Sequence, residues 1–166
     1  MVLNRQTFKY QGKKLIEKVR FKPPLKLEQL FEEEGCFLYF KGEGAHLLSS
    51  NDKREMNTHE AVLIRCGRYF VDYIEKVEQD YIEVIAIHLY PDVLKKLYIT
   101  ELPALIEKRN YNKESQILAP SDIISRFIDS LEFYFENPVL VNSDILKLKI
   151  KELILLLIQS KNVDSI

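Results

Sequence analysis

The sequence has little of what a small β-protein needs for a metal centre. Its three histidines are His46, His59 and His88, and no two of them are closer than thirteen residues. A His-x-His pair, which commonly holds a catalytic metal together with a carboxylate, is therefore missing, and Cys36 and Cys66 are poor replacements as isolated thiols. We expect no metal, no cofactor and no metal-dependent catalysis, and we expect both cysteines to be buried free thiols.

Motifs for nucleophilic or phosphate chemistry are missing as well. The sequence has no Gly-x-Ser-x-Gly elbow, which would expose a serine nucleophile on a sharp turn. The Gly-Glu-Gly segment Gly42–Gly44 lacks the further glycine, the Lys-Ser/Thr pair and the following helix of a phosphate-binding loop, so it indicates a hairpin turn. We predict that the chain is not an enzyme and has no catalytic residues.

An excess of one charge and a long apolar run are also lacking. The formal net charge is −1, whereas proteins that bind nucleic acid usually carry a basic excess, so DNA binding by these residues alone is not expected. The first residues have no apolar core of the kind that a signal peptide needs. The longest uninterrupted apolar run, Leu153–Ile158, is far shorter than the roughly 20 residues that span a bilayer. We predict a cytoplasmic protein without membrane contact.

The sequence does have a series of short apolar or alternating runs between compact polar turns, which is typical of a small antiparallel barrel or sandwich. The predicted strands are Lys14–Phe21, Cys36–Phe40, Ala45–Ser49, Arg54–Asn57, Ala61–Cys66, Tyr69–Val77 and Tyr81–Leu89. After Pro91 the period changes to that of helices, so the predicted fold is α+β. Its 166 residues predict one structural domain, with a barrel region over residues 1–90 and a helical region over residues 91–166.

Three helices are predicted in the helical region. They are Pro91–Leu97, a helix capped by Ser121 that stops at Asn137-Pro138, and a helix over Asp144–Ser160 capped by Ser143. The last helix is apolar on most of its sides and therefore needs cover on most of them, either as a core helix or at a dimer interface. We predict a homodimer, with the partner-facing stripe at coiled-coil-like spacing on four residues. These are Leu146, Ile150, Leu153 and Leu157.

The predicted strands are unusually aromatic, and a few charged residues interrupt them. Such an interior either encloses an apolar ligand pocket with a few polar groups or is filled by its own side chains, and both interpretations stay open. His88 either lines the barrel or is a satisfied interior side chain. The candidate ligand-binding residues are Tyr39, Arg65, Tyr69, Tyr73 and His88.

Three segments, in their order and spacing, resemble the N-terminal regulatory domain of AraC-type transcription regulators, in the branch of the type III secretion activator ExsA. They are CFLYFKGEG (Cys36–Gly44), HEAVLIRCGRY (His59–Tyr69) and IHLYPDVLKKLY (Ile87–Tyr98). The late segment KLKIKELILLLIQS (Lys147–Ser160) is similar to the helix that precedes the DNA-binding part of such regulators. The resemblance covers nearly the whole chain.

The resemblance implies a small cupin-like barrel followed by C-terminal helices. It implies a domain that senses a small-molecule effector or a regulatory protein and that dimerises through its helices. DNA contact would come only from a C-terminal half with two helix-turn-helix units, which we expect this chain to lack because only a short polar segment follows Ser160. The alternatives are a free-standing, metal-free barrel enzyme or small-molecule-binding protein, and a cyclic-nucleotide-type barrel, although no phosphate-cradling Gly/Arg segment is recognisable.

Overall fold

The computed structural model describes residues 2–22, 25–31, 35–42, 45–48, 53–64, 67–73, 81–97 and 115–159. The described strands are β1 (Val2–Tyr10), β2 (Lys13–Phe21), β3 (Leu25–Phe31), β4 (Gly35–Lys41), β5 (Ala45–Leu48), β6 (Lys53–Met56), β7 (Ala61–Ile64), β8 (Gly67–Tyr73), β9 (Ile82–Leu89) and β10 (Ser115–Leu118). The described helices are α1 (Pro91–Leu97), α2 (Asp122–Glu136), a 3-10 turn (Pro138–Leu140) and α3 (Ser143–Gln159).

The strands form two antiparallel sheets. The six-stranded sheet has the order β1-β2-β9-β4-β7-β10, and the four-stranded sheet has the order β3-β8-β5-β6. Every strand pairing in the described residues is antiparallel. The predicted α+β fold, with antiparallel strands followed by helices, is therefore confirmed.

The alternation along β9 separates two cores. Ile85 and Ile87 face a core that includes side chains of all three helices, and we call this side of the six-stranded sheet the helix face. Val84 faces a second core shared with Leu47 and Met56 of the four-stranded sheet, and we call this side the inter-sheet face. The side chains of successive residues of one strand therefore lie in different layers of the molecule, as the two-residue period of a strand requires.

Three strands were not predicted. The hairpin between β1 and β2 turns at Gln11 and Gly12, whose φ angles are 50° and 80°. Positive φ angles at both positions are what a two-residue hairpin turn requires if it is to match the twist of its strands. Strand β1 lies at the sheet edge and is half exposed, so it lacks the apolar alternation by which strands are recognised. Strand β3 directly follows Pro23-Pro24, and β10 lies inside the region that we predicted to be helical.

The helix boundaries follow from their caps. Ser121 Oγ accepts a hydrogen bond from the amide of Ile123 at 3.2 Å, which confirms the predicted start of α2. The start of α3 is capped by Asn142, not by Ser143, because Asn142 Oδ1 accepts from the amide of Ile145 at 2.9 Å. Serine and asparagine are comparable caps, so sequence preference alone could not choose between these neighbours.

Candidate functional site

The predicted ligand-binding residues do not lie together. Tyr39 is buried in the core on the helix face, and its hydroxyl oxygen lies 2.9 Å from Nδ1 of His59. His88 pairs with Cys36, a residue of the inter-sheet core, and so lies on the opposite side of the same sheet. The two candidates therefore face opposite sides of the six-stranded sheet and do not line one common pocket.

For the other candidate ligand-binding residues, the structure describes only the strand pairing or nothing. Tyr69 and Tyr73 belong to β8, where Tyr69 pairs with Gln29 and Tyr73 pairs with both Leu25 and Ala45. Arg65 lies outside the described residues, as does Cys66. Cys36 is fully buried, as predicted.

On the inter-sheet face, a polar cluster surrounds Glu17 of β2. His88 Nε2 lies 2.8 Å from Glu17 Oε2, and Thr7 Oγ1 donates to Glu17 Oε1 at 3.3 Å. An Arg5 guanidinium nitrogen lies 3.6 Å from the same Oε1 atom. Glu17 is only 7% exposed, and its buried carboxylate contacts these three partners. We call these four residues the Glu17 cluster.

The electrostatics of the Glu17 cluster favour the charged carboxylate. Burial by itself would raise the pKa of Glu17, but the hydrogen bond and charge of His88, together with the charges of Arg5 and Lys14, lower the pKa below its usual value. Arg5 and Lys14 remain exposed at the margin of the cluster. The cluster therefore combines a fixed anion with cations that a second, incoming anion could reach. Only His88 was predicted; the acidic Glu17 at an inward-facing strand position was the signal that sequence reasoning missed.

On the helix face, the same strands carry an ion-pair network. Lys18 Nζ donates to Glu132 Oε2 of α2 at 2.8 Å, and Lys41 Nζ donates to the other oxygen of that carboxylate. Arg20 donates to Glu83 Oε2 through two nitrogens, at 2.9 and 3.2 Å. Lys18 and Lys41 also lie 3.9 and 3.8 Å from Glu83 Oε1. We call these five residues the sheet–helix network, because they join β2, β4 and β9 to α2.

The network fixes the charge state of its helical member. Burial alone would raise the pKa of Glu132, but the hydrogen bonds from Lys18 and Lys41 outweigh burial and lower the pKa. The side chains of Lys18, Glu83 and Glu132 are at most 20% exposed, so these contacts are screened less by salt than a surface pair would be. Glu132 is thus an electrostatic attachment of α2 to the sheet.

The stripe that we predicted to face a partner is buried inside the chain. Leu146, Ile150, Leu153 and Leu157 are 4%, 1%, 0% and 1% exposed, and all four belong to the helix-side core. In this conformation the four residues offer almost no surface to a second chain, so the predicted interface stripe is occupied by the chain's own core. Lys149, on the same side of α3, adds a polar contact between the two helices, since its Nζ donates to Ser130 Oγ of α2 at 2.7 Å.

The opposite side of α3 is exposed and partly apolar. Leu148, Leu155 and Ile158 are 57%, 51% and 37% exposed. With Lys151 between them they follow one another at steps of three, four and three, which places them on one side of the helix. We call these three leucine and isoleucine residues the outer seam of α3. The sequence predicted an apolar helix covered on several sides, but it could not tell which stripe the chain itself covers.

Within the part of the chain that the structure describes, no group of three or more His, Cys, Asp and Glu residues is placed to hold a metal ion. Among the described helices, none has the length and apolar character to cross a membrane.

The fold is similar to that of ToxT from Vibrio cholerae. The ToxT structure from strain SCE256, bound to an unsaturated fatty acid, has a TM-score of 0.54 at 14% identity over 81% of this chain and 50% of that chain. ToxT from strain O395, bound to (E)-4-(8-methylnaphthalen-1-yl)but-3-enoic acid, has a TM-score of 0.54 at 15% identity over 81% of this chain and 53% of that chain. The chain thus spans about half the length of the ToxT chains that it matches.

A cupin superfamily protein from Desulfitobacterium hafniense DCB-2 has a TM-score of 0.44 at 13% identity, over 54% of this chain and 78% of that chain. No curated protein is significantly similar to the sequence.

The chain is a regulatory domain of the kind found in AraC-type transcription regulators, as its match to a family model shows. The family model described as the ExsA N-terminal regulatory domain matches residues 37–166, and the chain belongs to this family. The resemblance seen in the sequence is therefore confirmed.

Proposed function

We propose that this chain senses an effector and passes the signal to a dimer of an AraC-type regulator in the cytoplasm, with DNA contacted by a separate helix-turn-helix part. One observation carries the proposal. Strands β2 and β9 hold the Glu17 cluster on the inter-sheet face and the sheet–helix network on the helix face. Glu17 and Lys18 are successive residues, so a shift of β2 at the cluster moves the attachment of α2.

The effector that the Glu17 cluster suits best is an anionic amphipath. Arg5 and Lys14 stand exposed beside the cluster, and the neighbouring inter-sheet core is apolar. The two ToxT structures named above hold carboxylic acids, which supports this chemical class. A bound carboxylate would compete with Glu17 for Arg5 and His88, and it would thereby favour one arrangement of β2 over another, which is what an effector must do to shift an equilibrium.

Effector binding is tested by titrating the protein with oleate below its critical micelle concentration while recording the intrinsic tyrosine fluorescence. We expect saturable binding that weakens about tenfold in Arg5→Gln, because a hydrogen bond to a charged group contributes about 1.5–3 kcal/mol. Lys53→Gln, an exposed lysine on β6 of the other sheet, is the matched control and should bind as the wild type does. Equal affinity in both variants would place the anion elsewhere.

We also propose that the chain forms a homodimer, and that the outer seam of α3 replaces the buried stripe as its interface. Three apolar side chains over about three turns form a short seam, so the expected dimer is weak. Light scattering after size exclusion, repeated over a range of protein concentrations, measures the association. The double variant Leu148→Glu/Leu155→Glu should remain a folded monomer at every concentration.

The control for the seam is Val139→Glu in the 3-10 turn, where the apolar side chain is 93% exposed but lies off the helix. It should leave the dimer intact. If both variants associate as the wild type does, the contact lies on another surface. Because the family is a regulatory domain of transcription regulators, we propose no catalytic activity for the chain.

A further inference from the structure

The β1–β2 hairpin is far more basic than the rest of the molecule. Residues 2–22 contain seven Lys and Arg residues against one Glu, a net charge of +6. The whole chain has a net charge of −1, so the remaining residues together carry −7. The seven cations are Arg5, Lys9, Lys13, Lys14, Lys18, Arg20 and Lys22. We call residues 2–22 the basic hairpin. A charge separation of this size marks the surface for an anionic partner.

Part of this charge is already used inside the molecule. Lys18 and Arg20 belong to the sheet–helix network, and Lys13 pairs with Asp92 of α1 at 2.7 Å. Lys9 and Lys14 are exposed, and the Arg5 side chain, although it lies 3.6 Å from Glu17 in the Glu17 cluster, is 42% exposed. The positive charge that remains available is therefore concentrated on and beside β1.

Strand β1 is also an open sheet edge. In the described sheets it pairs with β2 alone and ends the order of the six-stranded sheet. Every second residue of an edge strand turns its backbone N–H and C=O outward, which makes it a template for another strand. The register shifts between Val2 and Asn4 and between Phe8 and Lys9 leave a regular ladder over residues 4–8. Val2 and Leu3, next to this ladder, are 42% and 45% exposed apolar residues.

We propose that the outer edge of β1 binds an acidic segment of another protein in extended conformation, as an added strand of about five residues. Backbone hydrogen bonds to residues 4–8 would provide affinity, and acidic side chains at alternate positions would face Arg5 and Lys9. A second copy of β1 matches this edge less well than an acidic segment, since it would add a second set of the same cations and no anion. Nucleic acid would match the charge but would leave the backbone edge unpaired. This inference goes beyond effector sensing and stands without it.

The test uses the full chain and a fluorescent heptapeptide, Glu-Val-Glu-Val-Glu-Val-Glu, as the probe. Two control peptides have the same charge and length: one has proline at each valine position, which prevents strand addition, and the other has glycine there. We expect anisotropy to show saturable binding of the valine peptide alone, and we expect the β1 amides of residues 4–8 to exchange hydrogen more slowly when it is bound.

The matched variants are Lys9→Glu on β1 and Lys53→Glu on β6, which is an exposed lysine on an edge strand of the other sheet. Lys9→Glu should weaken binding about tenfold through charge reversal, and Lys53→Glu should leave it unchanged. Equal binding of the proline peptide, no added protection of β1, or binding of duplex DNA but not of the peptide would each overturn the proposal.

Discussion

The two faces of the six-stranded sheet treat charged residues in different ways. On the helix face, Lys18 and Arg20 are tied to Glu132 and Glu83 in a network that attaches α2. On the inter-sheet face, Glu17 lies between His88 and Arg5, next to exposed cations. The first arrangement includes the α2 carboxylate of Glu132, whereas the members of the second lie on β1, β2 and β9; both reach solvent, since Arg20 and Arg5 are 40% and 42% exposed. In the function that we propose, one side of this shared sheet would receive the ligand while the other side positions α2.

The largest effect is expected from removing packing on the helix face. Leu153 is fully buried, so Leu153→Ala should lower the free energy of unfolding by about 3–4 kcal/mol through lost transfer energy and a cavity. Leu155→Ala, two residues away on the exposed side of α3, should change it by no more than about 0.5 kcal/mol. Urea denaturation measures both. Similar losses in the two variants would contradict the assignment of the two sides of α3.

A smaller loss in the free energy of unfolding is expected from breaking the attachment of α2 to the sheet. Glu132→Gln leaves Lys18 and Lys41 without their nearest carboxylate, and only the longer contacts to Glu83 remain. Since the site is partly open to solvent, we expect a loss of about 1–2 kcal/mol, below the range for fully buried pairs. Asp129→Asn, on the exposed side of α2, is the control and should be nearly neutral. A neutral Glu132→Gln would show that packing alone holds α2.

The acid sensitivity of the two faces can be measured separately. The pKa values of Glu17 and Glu132 are lowered from the ordinary 4.5, so their contribution to stability is complete above pH 4.5 and is lost as the pH falls through the folded-state values. Urea midpoints recorded from about pH 7 to about pH 3 should fall less steeply in Glu17→Gln and in Glu132→Gln than in the wild type. A wild-type slope in either variant would mean that its carboxyl group has no lowered pKa.

The sequence specified some of this structure because the signals were local. The alternation of β9 and the Ser121 cap of α2 were readable from neighbouring residues, and both are present. Tertiary partners were not readable. Glu17 and His88 are 71 residues apart, and the strand that supplies Arg5 is a half-exposed edge without apolar alternation.

The last helix shows the same limit. Its spacing defined the stripes correctly, but a helix that is apolar on two sides does not specify which side the chain covers. Only the packing of α2 and the sheet against Leu153 and its neighbours decided that the predicted stripe belongs to the core.

The central claim, that β2 and β9 link the Glu17 cluster to α2, is tested most directly by a double-mutant cycle. The free energy of unfolding is measured for Glu17→Gln, Glu132→Gln and the double variant, with Glu17→Gln combined with Asp144→Asn, an exposed residue in the first turn of α3, as the control. We predict a coupling energy of roughly 0.5–1 kcal/mol for the first pair and additivity within about 0.3 kcal/mol for the control. Additive losses in the first pair would contradict the account, because the two faces would then respond independently.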